Sequence, residues 1–81
     1  MMRLPRDETG RSLARRLRSL GYEIVRQEGS HIRLETSKSG LHRITIPDHA
    51  PLKLGTLQSI LREVQDHHEL TREALHAILF R

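Results

Sequence analysis

At 81 residues the chain has room for one domain spanning residues 1–81, with a modest core, and its 36% hydrophobic and 30% charged content suits a folded protein rather than a disordered one. No apolar run approaches the roughly 18 residues of a membrane span. Met1–Arg6 lacks a signal-peptide-like stretch, so the cytoplasm is the expected compartment; the absence of cysteine excludes disulfides and thiolate metal sites and leaves the redox compartment open. The net charge is +4 and 12 of the 14 basic side chains are arginine, the side chain whose planar fork best suits phosphate; residues 1–62 carry +6 and residues 63–81 carry −2.

Thr9 can cap a first helix in which Leu13, Leu17 and Leu20 form one stripe, and Gly21 stops it. Tyr22–Gln27 has the aromatic and β-branched content of a short strand, closed by the turn Glu28-Gly29. The period then becomes two. In His31–Thr36 the apolar Ile32 and Leu34 face one way while His31, Arg33 and Glu35 face the other, and Leu41–Ile46 repeats the pattern with Ile44 and Ile46 inward.

These two strands should form a hairpin whose register follows from face matching. Pairing Arg33 with Arg43 sets like charges opposite each other, whereas a shift of two residues sets Glu35 against Arg43 and Arg33 against Thr45, which is the favourable arrangement. That register leaves Lys38-Ser39-Gly40 as a three-residue loop and puts His31 opposite Pro47. Pro47 and Pro51 bracket a rigid connection. Leu57, Ile60, Leu61 and Val64 then mark a second helix from about Leu54 to Val64. Thr71 caps a short last helix, with Leu70 and Leu75 as a staple and Leu75, Ile78 and Leu79 as its buried stripe.

The order helix, three strands, helix, helix describes an α+β two-layer sandwich, αβββα plus a short C-terminal helix. A three-stranded antiparallel sheet is covered by helices on one face and open, with a basic surface, on the other. Double-stranded-RNA-binding domains share this order, and fold alone does not fix function.

Three motifs occur in sequence: Gly29-Ser30-His31, Ile46-Pro47-Asp48-His49, and Leu54-Gly55-Thr56-Leu57-Gln58-Ser59-Ile60-Leu61, with Leu20-Gly21-Tyr22 closing the first helix. In order and spacing they resemble HicA toxins over roughly residues 4–80. The resemblance implies the toxin of a toxin–antitoxin pair, a ribosome-independent endoribonuclease that cleaves mRNA, with His31 as the histidine required for cleavage. It also implies a HicB-type antitoxin that covers His31, the toxin being a monomer alone and part of a hetero-oligomer with its antitoxin. Many family members end soon after the second helix, so the role of residues 65–81 does not follow from it.

The residue chemistry agrees with that implication. Histidine titrates near neutrality and can take a proton from a ribose 2′-hydroxyl or give one to a leaving 5′-oxygen. Gly29, Ser30, Arg33, Arg43 and Lys53 are the expected RNA contacts, with Gly29 allowing close backbone approach and the arginines neutralising phosphate. Asp48 and His49 are auxiliary candidates: His49 as the opposite acid or base or as a loop-fixing side chain, Asp48 as an orienting carboxylate. His67 and His68 are adjacent and cannot share one helix face, and with His76 they lack the company of a zinc site; His42 falls on the core side at the hairpin end. No metal or other cofactor is expected. Tyr22 and Phe80 are not expected on the open face, so RNA binding should be salt-sensitive and weakly selective. The alternatives are a non-catalytic RNA-binding module and an interaction protein whose acidic tail docks a partner.

Overall fold

The computed structural model describes residues 4–80; residues 1–3 and 81, which the expected domain span and the leader reading of Met1–Arg6 include, lie outside the described residues. The elements are α1 (Gly10–Arg16) continued by a 3₁₀ turn (Leu17–Leu20), β1 (Glu23–Glu28), β2 (His31–Thr36), β3 (His42–Pro47), α2 (Leu54–His68) and α3 (Arg72–Leu79). They form the expected α+β arrangement, a three-stranded antiparallel sheet in the order β1-β2-β3 with three helices.

Local chemistry explains the ends. Thr9 accepts from the Ser12 amide and Ser12 Oγ accepts from the Thr9 amide, a reciprocal cap for α1. The helix stops where Gly21 turns left-handed at φ 83°, and a Cβ there would lie 2.7 Å from Thr36 Oγ1. Thr71 caps α3 by accepting from the Ala74 amide. Gly29, at φ 56°, is the first of two residues turning β1 into β2, a position where tight hairpins require a left-handed residue.

The β2–β3 register is the one expected: Glu35 opposes Arg43, Arg33 opposes Thr45 and His31 opposes Pro47. The β1–β2 ladder instead contains a bulge between Ile24 and Arg26, which shifts the pairing so that Arg26 faces Arg33 and Glu28 faces His31.

Beneath the sheet, Leu13, Leu17, Tyr22, Ile32, Leu34, Ile46, Leu57 and Val64 are at most 1% exposed and knit α1, β2, β3 and α2 into one core, to which α3 adds Leu75 and Leu79. Two helix expectations change. α2 runs a further turn, to His68, because Val64, His67 and His68 continue its inward stripe. Ile78 is 38% exposed rather than buried, since Leu75 and Leu79, at i and i+4, suffice to dock a helix of two turns.

Candidate functional site

His31 begins β2 on the open face and is solvent-exposed; among the described residues no hydrogen bond or ion pair engages its ring. Glu28 lies opposite on one side and Pro47 on the other. Arg33 follows two residues along the same face. Gly29 and Ser30 precede His31 in an exposed turn, and nothing lies within 4 Å of where a Gly29 Cβ would stand.

The loop after β3 is tied down at several points. The Asp48 amide donates to the Ser30 carbonyl (2.6 Å), the Gly10 amide to the His49 carbonyl (3.0 Å) and the Leu52 amide to the Glu8 carbonyl (2.8 Å). A Cβ on Gly10 would fall 2.0 Å from the Pro47 carbonyl oxygen, so only glycine permits this approach of α1 to the loop. The Asp48 carboxylate accepts from Gln27 Nε2 (3.1 Å) and pairs with Arg11 (3.3 Å), holding the loop against β1 and α1; no hydrogen bond or ion pair joins it to His31. His49 is exposed and Lys53, also exposed, is the N-cap of α2. Beside Pro47, a groove between β3 and α2 is lined by Arg43, Thr45, Thr56, Ser59 and Glu63.

The charge of the open face differs from the expectation of a basic surface. The bulge and the β1 pairing bring Glu23, Glu28 and Glu35 onto the same face as Arg26, Arg33 and Arg43, three of each sign. Arg43 pairs with Glu35 at 2.7 Å, Arg26 with Glu28 at 3.0 Å, and Arg33 with Glu28 at 3.9 Å. Glu28 faces His31 because the two-residue turn at Gly29-Ser30 sets the pairing of β1 with β2, and that turn is the signal in the sequence that places it there.

A second cluster of titratable groups sits at the far end of β2 and β3. The hydroxyl of buried Tyr22 lies 2.6 Å from His42 Nδ1 and 3.1 Å from His68 Nε2. With a single proton it donates to one ring and accepts an N–H from the other. The His42 and His67 rings stack at 4.3 Å, and His67 Nε2 donates to the Lys38 and Gly40 carbonyls (3.1 and 3.0 Å). Adjacent in sequence, His67 and His68 still join one cluster, because the hairpin loop wraps the end of α2.

Burial, then the carboxylate of Glu63, pushes the Tyr22 hydroxyl up to about 12. Burial, then His67, lowers His42 against an opposing pull from Glu63; burial, then His67, His42 and Lys38, lowers His68. Among the described residues no group of three or more His, Asp or Glu side chains has the arrangement of a metal site, and no helix is long and apolar enough to cross a membrane. Tyr22 is buried and Phe80, half-buried, packs beneath the Arg16 guanidinium 4.8 Å from its ring centre, so neither aromatic lies on the open face.

No curated protein and no solved structure matches the chain. The family described as HicA toxin of bacterial toxin–antitoxin matches residues 10–65, a span that holds α1, the whole sheet, His31 with its flanking loop, and most of α2. The chain therefore belongs to the HicA family of toxins from toxin–antitoxin systems.

Proposed function

We propose that this toxin is a ribosome-independent endoribonuclease of the cytoplasm that cleaves mRNA with His31 and without a metal ion, and that a HicB-type antitoxin inhibits it by covering His31. The observation that carries this reading is His31 itself: an exposed imidazole with no hydrogen-bond or ion-pair partner among the described residues, on the uncovered face of the sheet, in a chain of the HicA family.

In this reaction the His31 ring accepts the proton of a ribose 2′-hydroxyl, and the 2′-oxygen attacks the adjacent phosphorus. The bond from phosphorus to the 5′-oxygen breaks, and that oxygen leaves with a proton. The products are a 2′,3′-cyclic phosphate and a 5′-hydroxyl, and neither an oxidant nor a second substrate is consumed.

Arg33 and Arg43 lie on the same face as His31 and stabilise charge that develops on the phosphate. The 2.7 Å pairing with Glu35 orients the Arg43 guanidinium, while Arg33, 3.9 Å from Glu28, is held only loosely. Gly29 and Ser30 offer exposed backbone next to His31, and Lys53 a further cation past the loop. His49 is the candidate for the second proton transfer, since its loop starts at Pro47, the cross-strand neighbour of His31. Asp48 acts one step back, by fixing that loop. The toxin is a monomer when free and a hetero-oligomer with its antitoxin.

The test is to incubate purified protein with RNA in EDTA, beside the same RNA carrying a 2′-deoxy substitution at the cleaved nucleotide. Cleavage of the first, with cyclic phosphate ends, and none at the substituted position are expected. Intact RNA would end the nuclease reading, and cleavage only without EDTA would end the metal-free mechanism. Binding without cleavage would make the chain an RNA-binding module instead.

A further inference from the structure

The charge balance of the open face raises the question of where a polyanion is drawn in, because three glutamates there offset three arginines. The α1 segment and its 3₁₀ turn are different: Gly10–Leu20 contains Arg11, Arg15, Arg16 and Arg18 and no acidic residue. Arg16 is used structurally, with its Nε 2.8 Å from the carboxylate of Glu8, which is only 3% exposed, and a further hydrogen bond to the Leu79 carbonyl. The other three lie at i, i+4 and i+7, one exposed stripe about 10 Å long on the helix axis.

Arg11, at the end of the stripe beside the His49 loop, contacts Gln27 and Asp48. Arg15 and Arg18 have no ion-pair partner among the described residues. Beyond Arg18 the chain turns at Gly21, whose hypothetical Cβ would stand 3.6 Å from the Lys38 Cβ, so a further cationic residue begins where the stripe ends. Like charges at this spacing repel and destabilise a free helix. A bound polyanion reverses that sign.

We propose that the stripe Arg11-Arg15-Arg18 is an RNA-backbone site: a single-stranded RNA whose scissile phosphate lies at His31 runs past the Asp48-His49 loop and along α1, its phosphates held by Arg15 and Arg18. The site rests on the reading of this protein as an RNA-cleaving enzyme. It divides the labour: the ion-paired arginines of the sheet act locally on the reacting phosphate, and the unpaired arginines of α1 supply the salt-dependent affinity.

The experiment measures RNA affinity against salt, from about 50 to 200 mM, in a His31→Ala background that preserves the substrate. Each phosphate contact on single-stranded RNA contributes about 0.7 to the slope of log affinity against log salt, so Arg15→Gln/Arg18→Gln should reduce that slope by about 1.4. The charge-matched Arg62→Gln/Arg72→Gln variant, altered on exposed positions of α2 and α3, should leave the slope unchanged. In the cleaving protein the α1 pair should raise KM several-fold, with the rate at saturating RNA retained, and the melting temperature should not fall.

An unchanged slope in the His31→Ala background, where the His31-bearing chain does cleave RNA, overturns the site alone. An equal loss in both double variants also overturns it, since net charge and not a track is then responsible. Weakened binding of an acidic antitoxin with RNA affinity intact gives the stripe to a protein partner and overturns it too. RNA neither bound nor cleaved by the unaltered chain overturns both this site and the enzymatic reading.

Discussion

Acidification from about pH 7.5 to about 5.5 should weaken the fold through the Tyr22-His42-His67-His68 corner. In the folded protein His42 and His68 are held below the ordinary histidine value by burial and then by His67, with Lys38 adding to the effect on His68 and Glu63 opposing it on His42. In the unfolded chain both titrate near the ordinary value of 6.5. Above that value both rings are neutral in either state, and stability is complete. As the pH falls through it, the unfolded chain takes up protons that the folded protein does not, and stability declines until the lowered folded values are reached.

Linkage limits the slope to about 1.4 kcal/mol per pH unit for each group, hence to about 2.7 for the two, and each kcal/mol lost lowers the melting temperature of a domain this size by about 4–8 °C. With both rings protonated, neither could accept from the Tyr22 hydroxyl, which would lose the hydrogen bond it now donates to one of them. The assay is urea unfolding followed by circular dichroism at stepped pH, for the unaltered chain and for His42→Gln/His68→Gln. The unaltered chain should lose stability toward acid while the double variant, less stable at neutral pH, shows a flatter dependence. Constant or rising stability toward acid, or an undiminished slope in the double variant, would refute the reasoning.

Two further substitutions probe the frame that holds the site. Gly10→Ala places a methyl group 2.0 Å from a backbone carbonyl, and should destabilise the protein by about 1–3 kcal/mol in urea unfolding. Because Pro47 opposes His31, cleavage per folded molecule should fall with it. Arg16→Met leaves the buried carboxylate of Glu8 without its partner and should cost about 1–3 kcal/mol, while adding Glu8→Gln in the same chain should restore part of that loss.

The sequence made the β2–β3 hairpin legible in detail, because alternation assigns faces and opposite charges at Glu35 and Arg43 select one register. It also made the caps at Thr9 and Thr71 and the stop at Gly21 legible, since each is a local event. The bulge in β1 was not legible: Glu23–Glu28 is exposed along its whole length, so no apolar alternation marks the slip, and the balanced charge of the open face followed from that slip.

The histidine corner had a signal that periodicity carried. His67 and His68 stand at i+7 from Ile60 and Leu61, and parity turns His42 inward, but a loop that wraps a helix end is a tertiary fact. The position of His31 on the sheet follows from strand parity; the role proposed for it rests on family motifs, and no spacing could have supplied it.

Catalysis by His31 is tested most directly by the single-turnover rate of RNA cleavage by His31→Ala relative to the unaltered chain, with matched circular dichroism spectra and unfolding curves. His31 is exposed and has no hydrogen-bond or ion-pair partner among the described residues, so the substitution should leave the fold intact, and loss of a general acid or base should lower the rate by about 10²-fold or more. A folded His31→Ala protein that cleaves RNA within a few-fold of the unaltered rate would contradict the central claim.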